Sequence, residues 1–289
     1  MKEYKNALEV INIRKRYKDF LLEDISFNLP KGFIMGLVGP NGAGKTTTIK
    51  AIMNLIKLDK GQIKIFGENL IDNEVKIKDK IGFVYDDCYA YEDFSINENK
   101  KLIAPFYSKW DEDKFKFYID KFKLNDKKKV KDLSKGQKVR FSLAIALSHN
   151  AELLILDEPT SGLDPVFRSE LLDILFDLIR DEEVSILYST HITSDLEKLA
   201  DYITFINNGK VEFSIEKDSL LEEYFIVKGP LEVFDDNIRK YLIGTRKSKY
   251  NFEGLTKNSE ELNRNFDNLI FERATLDDII VYYSKKEKI

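Results

Sequence analysis

One cysteine, two histidines, one tryptophan and six prolines are all that this chain of 289 residues contains of those types. The lone thiol, Cys88, excludes an internal disulfide and fits a reducing compartment. Long apolar runs are missing too. Runs such as Phe33 to Val38 and Leu153 to Leu156 are far short of the roughly 20 residues that cross a bilayer as a helix. A membrane role therefore requires a partner chain. Met1 to Val10 carries Lys2, Glu3 and Lys5 and has no apolar core of signal-peptide length, so export is not expected. Charge of one sign is also lacking, since 46 basic residues face 50 acidic ones for a net charge of -4. No electrostatic field favours nucleic acid, which is not an expected partner.

What is present is a core-forming mixture, 43% apolar and 33% charged. Short runs rich in Val, Ile, Leu and Phe recur between helical patterns: Phe33 to Val38, Ile81 to Val84, Leu153 to Leu156, Ser185 to Tyr188 and Tyr202 to Ile206. Buried strands alternating with helices predict an α/β fold with a mixed, largely parallel sheet. Leu8 to Ile13 and Ile25 to Leu29 read as an antiparallel β flank. Aromatic-rich helices between Asn97 and Asn125 form a helical insert, taken broadly as residues 86–150, and the acids of Trp110-Asp111-Glu112-Asp113 suit a helix N-terminus. After Gly209 the periodicity weakens and the motifs stop. Residues 216–289 are expected to form a small α+β appendage, with a strand at Tyr224 to Lys228 and a helix from Leu276 to Ser284.

The strand candidate Phe33 to Val38 runs into Gly39-Pro40-Asn41-Gly42-Ala43-Gly44-Lys45-Thr46-Thr47, the pattern G-x-x-x-x-G-K-T between a strand and a helix. Gly42 and Gly44 let backbone N–H groups turn inward around phosphate oxygens, with Asn41 and Ala43 in the same loop, while the following helix presents its positive end. Lys45 neutralises the β- and γ-phosphates, Thr46 offers a hydroxyl to Mg²⁺, and Thr47 donates to a phosphate oxygen. ATP and Mg²⁺ are the expected ligands.

Leu153-Leu154-Ile155-Leu156-Asp157-Glu158 is an apolar strand that ends in two acids, at the edge where α/β sheets bind ligands. Asp157 is the candidate for Mg²⁺ and Glu158 for orienting the attacking water. Upstream, Leu133-Ser134-Lys135-Gly136-Gln137 opens the amphipathic helix Val139 to Ser148. Ser134 reads either as an N-cap or, with Gly136 and the helix dipole, as part of a second phosphate-binding surface. One chain cannot easily use both surfaces on one nucleotide. His149, at the end of that helix, reads as a polar end-cap.

Together these segments resemble the ATP-binding cassette family. Leu133 to Gln137 is similar to its signature, Asp157-Glu158 to its acidic strand end, Ser161-Gly162-Leu163-Asp164 to the loop that follows, and His191 in Ser189-Thr190-His191 to its γ-phosphate sensor. The resemblance covers about residues 5 to 215. It implies that residues 1–215 form the cassette, that Tyr17 stacks on adenine, and that two cassettes pack head to tail. Ser134, Gly136 and Gln137 of one then face the phosphates held by the other, in a pair of like or unlike chains. It implies an ATPase at the cytoplasmic face of the membrane, bound through the insert to an integral membrane transporter subunit. Tyr89, Tyr91, Phe94, Phe106, Tyr107 and Trp110 are candidate contacts there, or else insert core.

Two departures stand out. After Ile81-Gly82-Phe83-Val84 the family has a glutamine near Mg²⁺ and the attacking water, whereas this chain has Tyr85-Asp86-Asp87. Asp86 is the positional substitute, a candidate for both catalysis and metal binding. Lys135 stands where a glycine is usual. Similar departures occur in cassettes of bacitracin-resistance and antimicrobial-peptide exporters, which points to export of a peptide or amphipathic, lipid-like compound. A soluble cassette acting on ribosomes or DNA fits less well, because the chain has a single phosphate loop and signature and no heptad run. A cassette that binds ATP without hydrolysing it is disfavoured by the presence of Lys45, Asp157, Glu158 and His191.

Overall fold

The computed structural model describes residues 5–85, 90–182 and 184–285. The chain falls into two compact units, one of residues 1–191 and 199–214, the other of residues 192–198 and 215–289.

In the first unit, β1 (Asn6–Arg16) pairs antiparallel with β2 (Leu21–Pro30). Along β2 buried and exposed residues alternate, as in a strand with one wet face. β3 (Ile34–Val38) is buried at every position and leads through the phosphate loop into α1 (Lys45–Ile52). β4 (Lys60–Ile65) and β5 (Glu68–Asn69) complete a four-stranded antiparallel sheet in the order β2-β1-β4-β5. The short α2 (Glu74–Lys78) precedes β6 (Ile81–Val84).

The insert holds α3 (Ile96–Ile103), α4 (Glu112–Lys121) and the signature helix α5 (Lys135–Leu147). Its start sites follow from local chemistry. Ser95 and Glu98 form a capping box on α3, and Asp111 caps α4 by accepting from the Asp113 and Lys114 N–H groups. The segment before α3 is fixed by buried Asn99, whose Oδ1 accepts from Tyr91 N at 2.8 Å while Nδ2 donates to the carbonyls of Tyr91 and Ser95 at 3.0 Å.

β7 (Leu153–Asp157), α6 (Pro165–Glu182), β8 (Ser185–Thr190), α7 (Thr193–Leu199), β9 (Tyr202–Asn207) and β10 (Lys210–Glu216) follow. The second sheet has the order β10-β9-β3-β8-β7-β6, and β3 runs parallel to both β8 and β9, as do β7 to β8 and β6 to β7. Every residue of β3, β7 and β8 is buried, which is why these segments read as continuous apolar runs. The order matters for function: β3, β8 and β7 are adjacent and parallel, so their carboxyl ends open on the same edge.

The second unit adds α8 (Lys217–Glu223), β11 (Phe225–Pro230), α9 (Asp236–Arg239), β12 (Gly244–Lys247), β13 (Asn251–Thr256), α10 (Ser259–Asn265), β14 (Ile270–Arg273) and α11 (Leu276–Ser284). Its antiparallel sheet has the order β12-β13-β11-β14, over a core of Val227, Ile238, Phe252 and Leu262. Residues 192–198, which the sequence reading places in the cassette, belong to this unit. Glu197 Oε1 accepts from Leu276 N at 3.1 Å, and Thr193 Oγ1 donates to Asp277 at 3.2 Å.

His149 does more than end its helix. It is fully buried (0% exposed), with Nδ1 3.1 Å from the Ile145 carbonyl oxygen of the last helical turn and Nε2 3.1 Å from the Ile81 carbonyl oxygen at the start of β6. Its ring stacks on Tyr107 with centroids 3.8 Å apart. Burial holds the imidazole below its usual range, against the pull of both carbonyls and Asp79. A His with a lowered folded pKa contributes stability that is complete above the unfolded value and is lost as pH falls toward the folded one. The thermal midpoint should therefore drop as pH falls below about 6.5, and His149→Gln should flatten that slope in a melting series. An unchanged slope would remove His149 as its source.

Candidate functional site

The carboxyl ends of β3, β7 and β8 converge on a cavity of about 580 Å³ walled by Phe20, the phosphate loop from Pro40 to Thr47, Glu158, Ser161 and His191. A second cavity of about 630 Å³ lies on the sheet of the other unit, with Lys228, Arg246 and Asn251 in its wall, and holds none of the sequence motifs. Convergent chemistry, not size, selects the first.

The loop is shaped by its neighbours. A Cβ on Gly39 would lie 2.1 Å from the Ile206 carbonyl oxygen, so no larger residue fits against β9. Gly44 has φ +115°, and a Cβ there would also meet Leu22 Cδ1 at 2.8 Å. This left-handed residue is the N-cap of α1, which receives no side-chain cap. The first N–H groups of α1 thus have no side-chain cap, and an anion at the helix start would satisfy them. Ala43 and Lys45 are buried, whereas Asn41, Gly42 and Thr46 are exposed and Thr47 is half-buried.

Lys45 is only 6% exposed, and its ammonium donates to the Gly39 carbonyl at 2.8 Å and the Pro40 carbonyl at 3.4 Å. It also lies 3.4 Å from Glu158 Oε1. The other carboxylate oxygen, Oε2, is 2.8 Å from His191 Nδ1. Three residues predicted from separate motifs therefore meet through one carboxylate. Glu158 adopts φ +50°, a left-handed conformation that costs a non-glycine residue about 1–3 kcal/mol and is common where geometry serves chemistry. Its N–H is held by the Ser189 carbonyl at 2.9 Å.

Asp157 is buried, and its Oδ1 has no hydrogen-bond partner among the described residues. Burial pushes its carboxyl above the usual carboxylate range, with Lys45 and the Thr46 hydroxyl pulling the other way. An orphaned carboxylate oxygen beside a threonine hydroxyl suits a hard dication.

Tyr17 is not in the cavity wall. It is 43% exposed, with Lys15 Nζ 5.7 Å from its ring centroid, and its N–H donates to the Phe20 carbonyl at 2.8 Å. Phe20, from the same turn, does reach the cavity. Ser134 is the N-cap of α5, accepting from Gln137 N at 3.2 Å while Gln137 Oε1 accepts from Ser134 N at 3.1 Å. The capping reading thus describes the single chain; Ser134 is exposed and Gly136 and Gln137 are half-buried, and all three lie outside this chain's phosphate cavity. Asp86 lies outside the described residues, and Tyr89 does too. Ser161 enters the sequence only as the first residue of the Ser161-Gly162-Leu163-Asp164 motif, yet it lines the cavity. Its place in the wall follows from the turn in which its N–H donates to the Glu158 carbonyl at 3.1 Å.

Comparison with known proteins decides the family. The family model described as ABC transporter matches residues 22–161. The lantibiotic transport ATP-binding protein SrtF of Streptococcus pyogenes is 36% identical over 223 residues, covering 75% of this chain and 95% of that protein. The chain belongs to the ABC transporter ATP-binding family. This ABC ATPase is also 37% identical over 201 residues to the bacitracin transport ATP-binding protein BcrA of Bacillus licheniformis, covering 69% of this chain and 66% of that one. A solved ATP-binding subunit of an ABC transporter superposes with a TM-score of 0.68 at 28% identity, over 75% of this chain and 92% of the other. The ATPase therefore has the cassette fold expected from its motifs.

Two measurements test the site of the ATPase. Glu158→Gln should leave ATP binding intact and slow turnover roughly a hundredfold or more, the scale of a lost general base; equal turnover would remove Glu158 from that role. Tyr17→Ala should weaken ATP about tenfold, within the 1–3 kcal/mol of base stacking, while pyrophosphate binding stays unchanged. An equal loss for both ligands would mean that Tyr17 supports the loop and not the base.

Proposed function

We propose that this ATPase drives export of a peptide or amphipathic, lipid-like compound through a separate membrane subunit, by ATP-dependent closure of a head-to-tail pair of cassettes. The observation that carries the mechanism is the separation of the two phosphate surfaces. Lys45, Glu158 and His191 share one cavity, whereas Ser134 and Gly136 are outside it. An exposed helix start with a serine cap and a backbone free of side chain at Gly136 suits the γ-phosphate of a nucleotide held by another chain.

Within the pair, phosphate would draw Lys45 away from Glu158, freeing that carboxylate to accept a proton from water while His191 holds its other oxygen. Thr46 and Asp157 would hold Mg²⁺, whose charge offsets that of the phosphates; the orphaned Asp157 Oδ1 is the atom that fits it. Tyr17 offers an exposed ring for adenine. Asp86 remains the proposed substitute for the family glutamine. Residues 1–215 would act as the cassette and 216–289 as an accessory domain.

The membrane partner follows from what the chain lacks and what it displays. Among the described residues no helix is long and apolar enough to cross a membrane. In the insert Phe106 is 83% exposed and Tyr91 65%, and Phe94 is exposed beside Tyr91. Tyr107 instead stacks on His149, and Trp110 packs on Phe115 while its N–H donates to Glu112. The first three are the interface candidates and the latter two belong to the insert core. Docking there would place the ATPase at the cytoplasmic face of the membrane. The substrate class rests on the transport functions named for SrtF and BcrA, and on the linearmycin resistance protein LnrL of Bacillus subtilis, 34% identical over 210 residues.

Crosslinking in native membranes followed by purification tests the reading. A polytopic membrane protein should be recovered with the chain, and Phe106→Glu should abolish that recovery without changing ATP affinity. Recovery with ribosomes or DNA and no membrane protein would overturn it.

A further inference from the structure

The cavity of about 630 Å³ on the sheet of the second unit has the volume of a small-molecule site, and strand register sets its wall. Arg246 of β12 faces Glu253 of β13, Glu253 faces Lys228 of β11, and Lys228 faces Ile270 of β14. Directly paired residues project from the same face of a sheet. Arg246, Glu253, Lys228 and Ile270 therefore form one row across all four strands, and all four line the cavity. At about 4.8 Å per strand the ends of the row lie about 14 Å apart.

The two middle members are engaged. Lys228 Nζ donates to Glu272 Oε2 at 2.7 Å, and Glu253 Oε1 accepts from Tyr282 OH of α11 at 2.7 Å. The two ends are not. Arg246 is exposed and stands opposite the Glu253 carboxylate, yet it has no ion-pair partner among the described residues; its guanidinium lies 5.2 Å from the Tyr282 ring centroid. Ile270 is 61% exposed. The surroundings reinforce the sign of the charged end: residues 239–250 carry Arg239, Lys240, Arg246, Lys247 and Lys249 and no acid, in a chain whose net charge is -4.

An unpaired guanidinium at one end of the row and an uncovered aliphatic side chain at the other suit a ligand with the same division. The planar guanidinium fork matches a carboxylate. Glu253, next to Arg246 in the row, opposes a second negative charge. We propose that this cavity binds a small molecule that carries a single carboxylate on an apolar chain, with the carboxylate on Arg246 and the chain laid across the row toward Ile270.

Decanoate is the probe, and the full chain is kept saturated with ADP and Mg²⁺ so that the phosphate loop is occupied. Ligand-observed NMR should show binding in the low millimolar range or tighter, the efficiency expected of a molecule of about a dozen heavy atoms. Butyrate should bind at least about tenfold more weakly because it buries less chain, inorganic phosphate more weakly than decanoate, and decylamine should not compete. Arg246→Gln should weaken decanoate about tenfold or more, the scale of a hydrogen bond to a charged group. Glu253→Gln, which keeps an acceptor for Tyr282, should tighten it by up to about fivefold, the scale of a cross-strand charge pair. Ile270→Asn should narrow the gap between decanoate and butyrate. Absence of decanoate binding, equal binding of decylamine, wild-type affinity in Arg246→Gln, or weaker binding in Glu253→Gln would each overturn the proposal. Phosphate that binds as tightly as decanoate would overturn the ligand class and leave a site for a bare anion.

Discussion

A buried ammonium must be compensated, and the arrangement around Lys45 is the constraint on which the site depends. Its charge is nearly removed from water, and a lone cation there would carry a desolvation cost of several kcal/mol. The Gly39 and Pro40 carbonyls meet part of that cost by hydrogen bonding, and the Glu158 carboxylate meets more. Because those two carbonyls belong to the loop itself, Lys45 folds the loop around its own side chain. Because Glu158 belongs to β7's end, the same charge ties α1 to the strand two places away in the sheet. His191, at the end of the intervening β8, completes the set.

These compensating contacts hold the site together without making it inert. Glu158 satisfies two nitrogen-bearing groups from a left-handed backbone conformation, and Asp157 beside it has one oxygen that nothing satisfies. Both are unfavourable in isolation. A dication would satisfy the second, and phosphate at Lys45 would release Glu158 from its ion pair. A buried acid pushed toward its neutral form and a cation occupied by a carboxylate suit a negatively charged ligand accompanied by metal.

Much of this was legible in the chain because the relevant rules are local. The apolar runs at β3, β7 and β8 are strands buried on both faces, and the helix Leu276–Ser284 begins at a Thr275 capping box that its sequence displays. Glycine at 39 and 44 could be expected in a phosphate loop, although the particular atoms that exclude a side chain, the Ile206 carbonyl and Leu22, come from distant segments. His149 was legible as a helix end, since its reach to Ile145 is local. Its second partner, Ile81, is 68 positions away, and no spacing rule connects them. Residues 192–198 follow His191 directly in the chain, yet Glu197 and Thr193 find their partners at Leu276 and Asp277.

The sequence by itself determined the phosphate loop between a buried strand and a helix, because backbone turns, strand burial and helix caps depend on neighbours a few residues away, and its ordered motifs carried the resemblance to the cassette family. Tertiary structure alone decided that the carboxylate of Glu158 joins Lys45 to His191, that Ser134 lies outside its own chain's phosphate cavity, and that His149 reaches the Ile81 carbonyl. Those relations depend on strand order and on which surfaces pack, and strand order is fixed by burial over the whole sheet, which no short window of sequence contains.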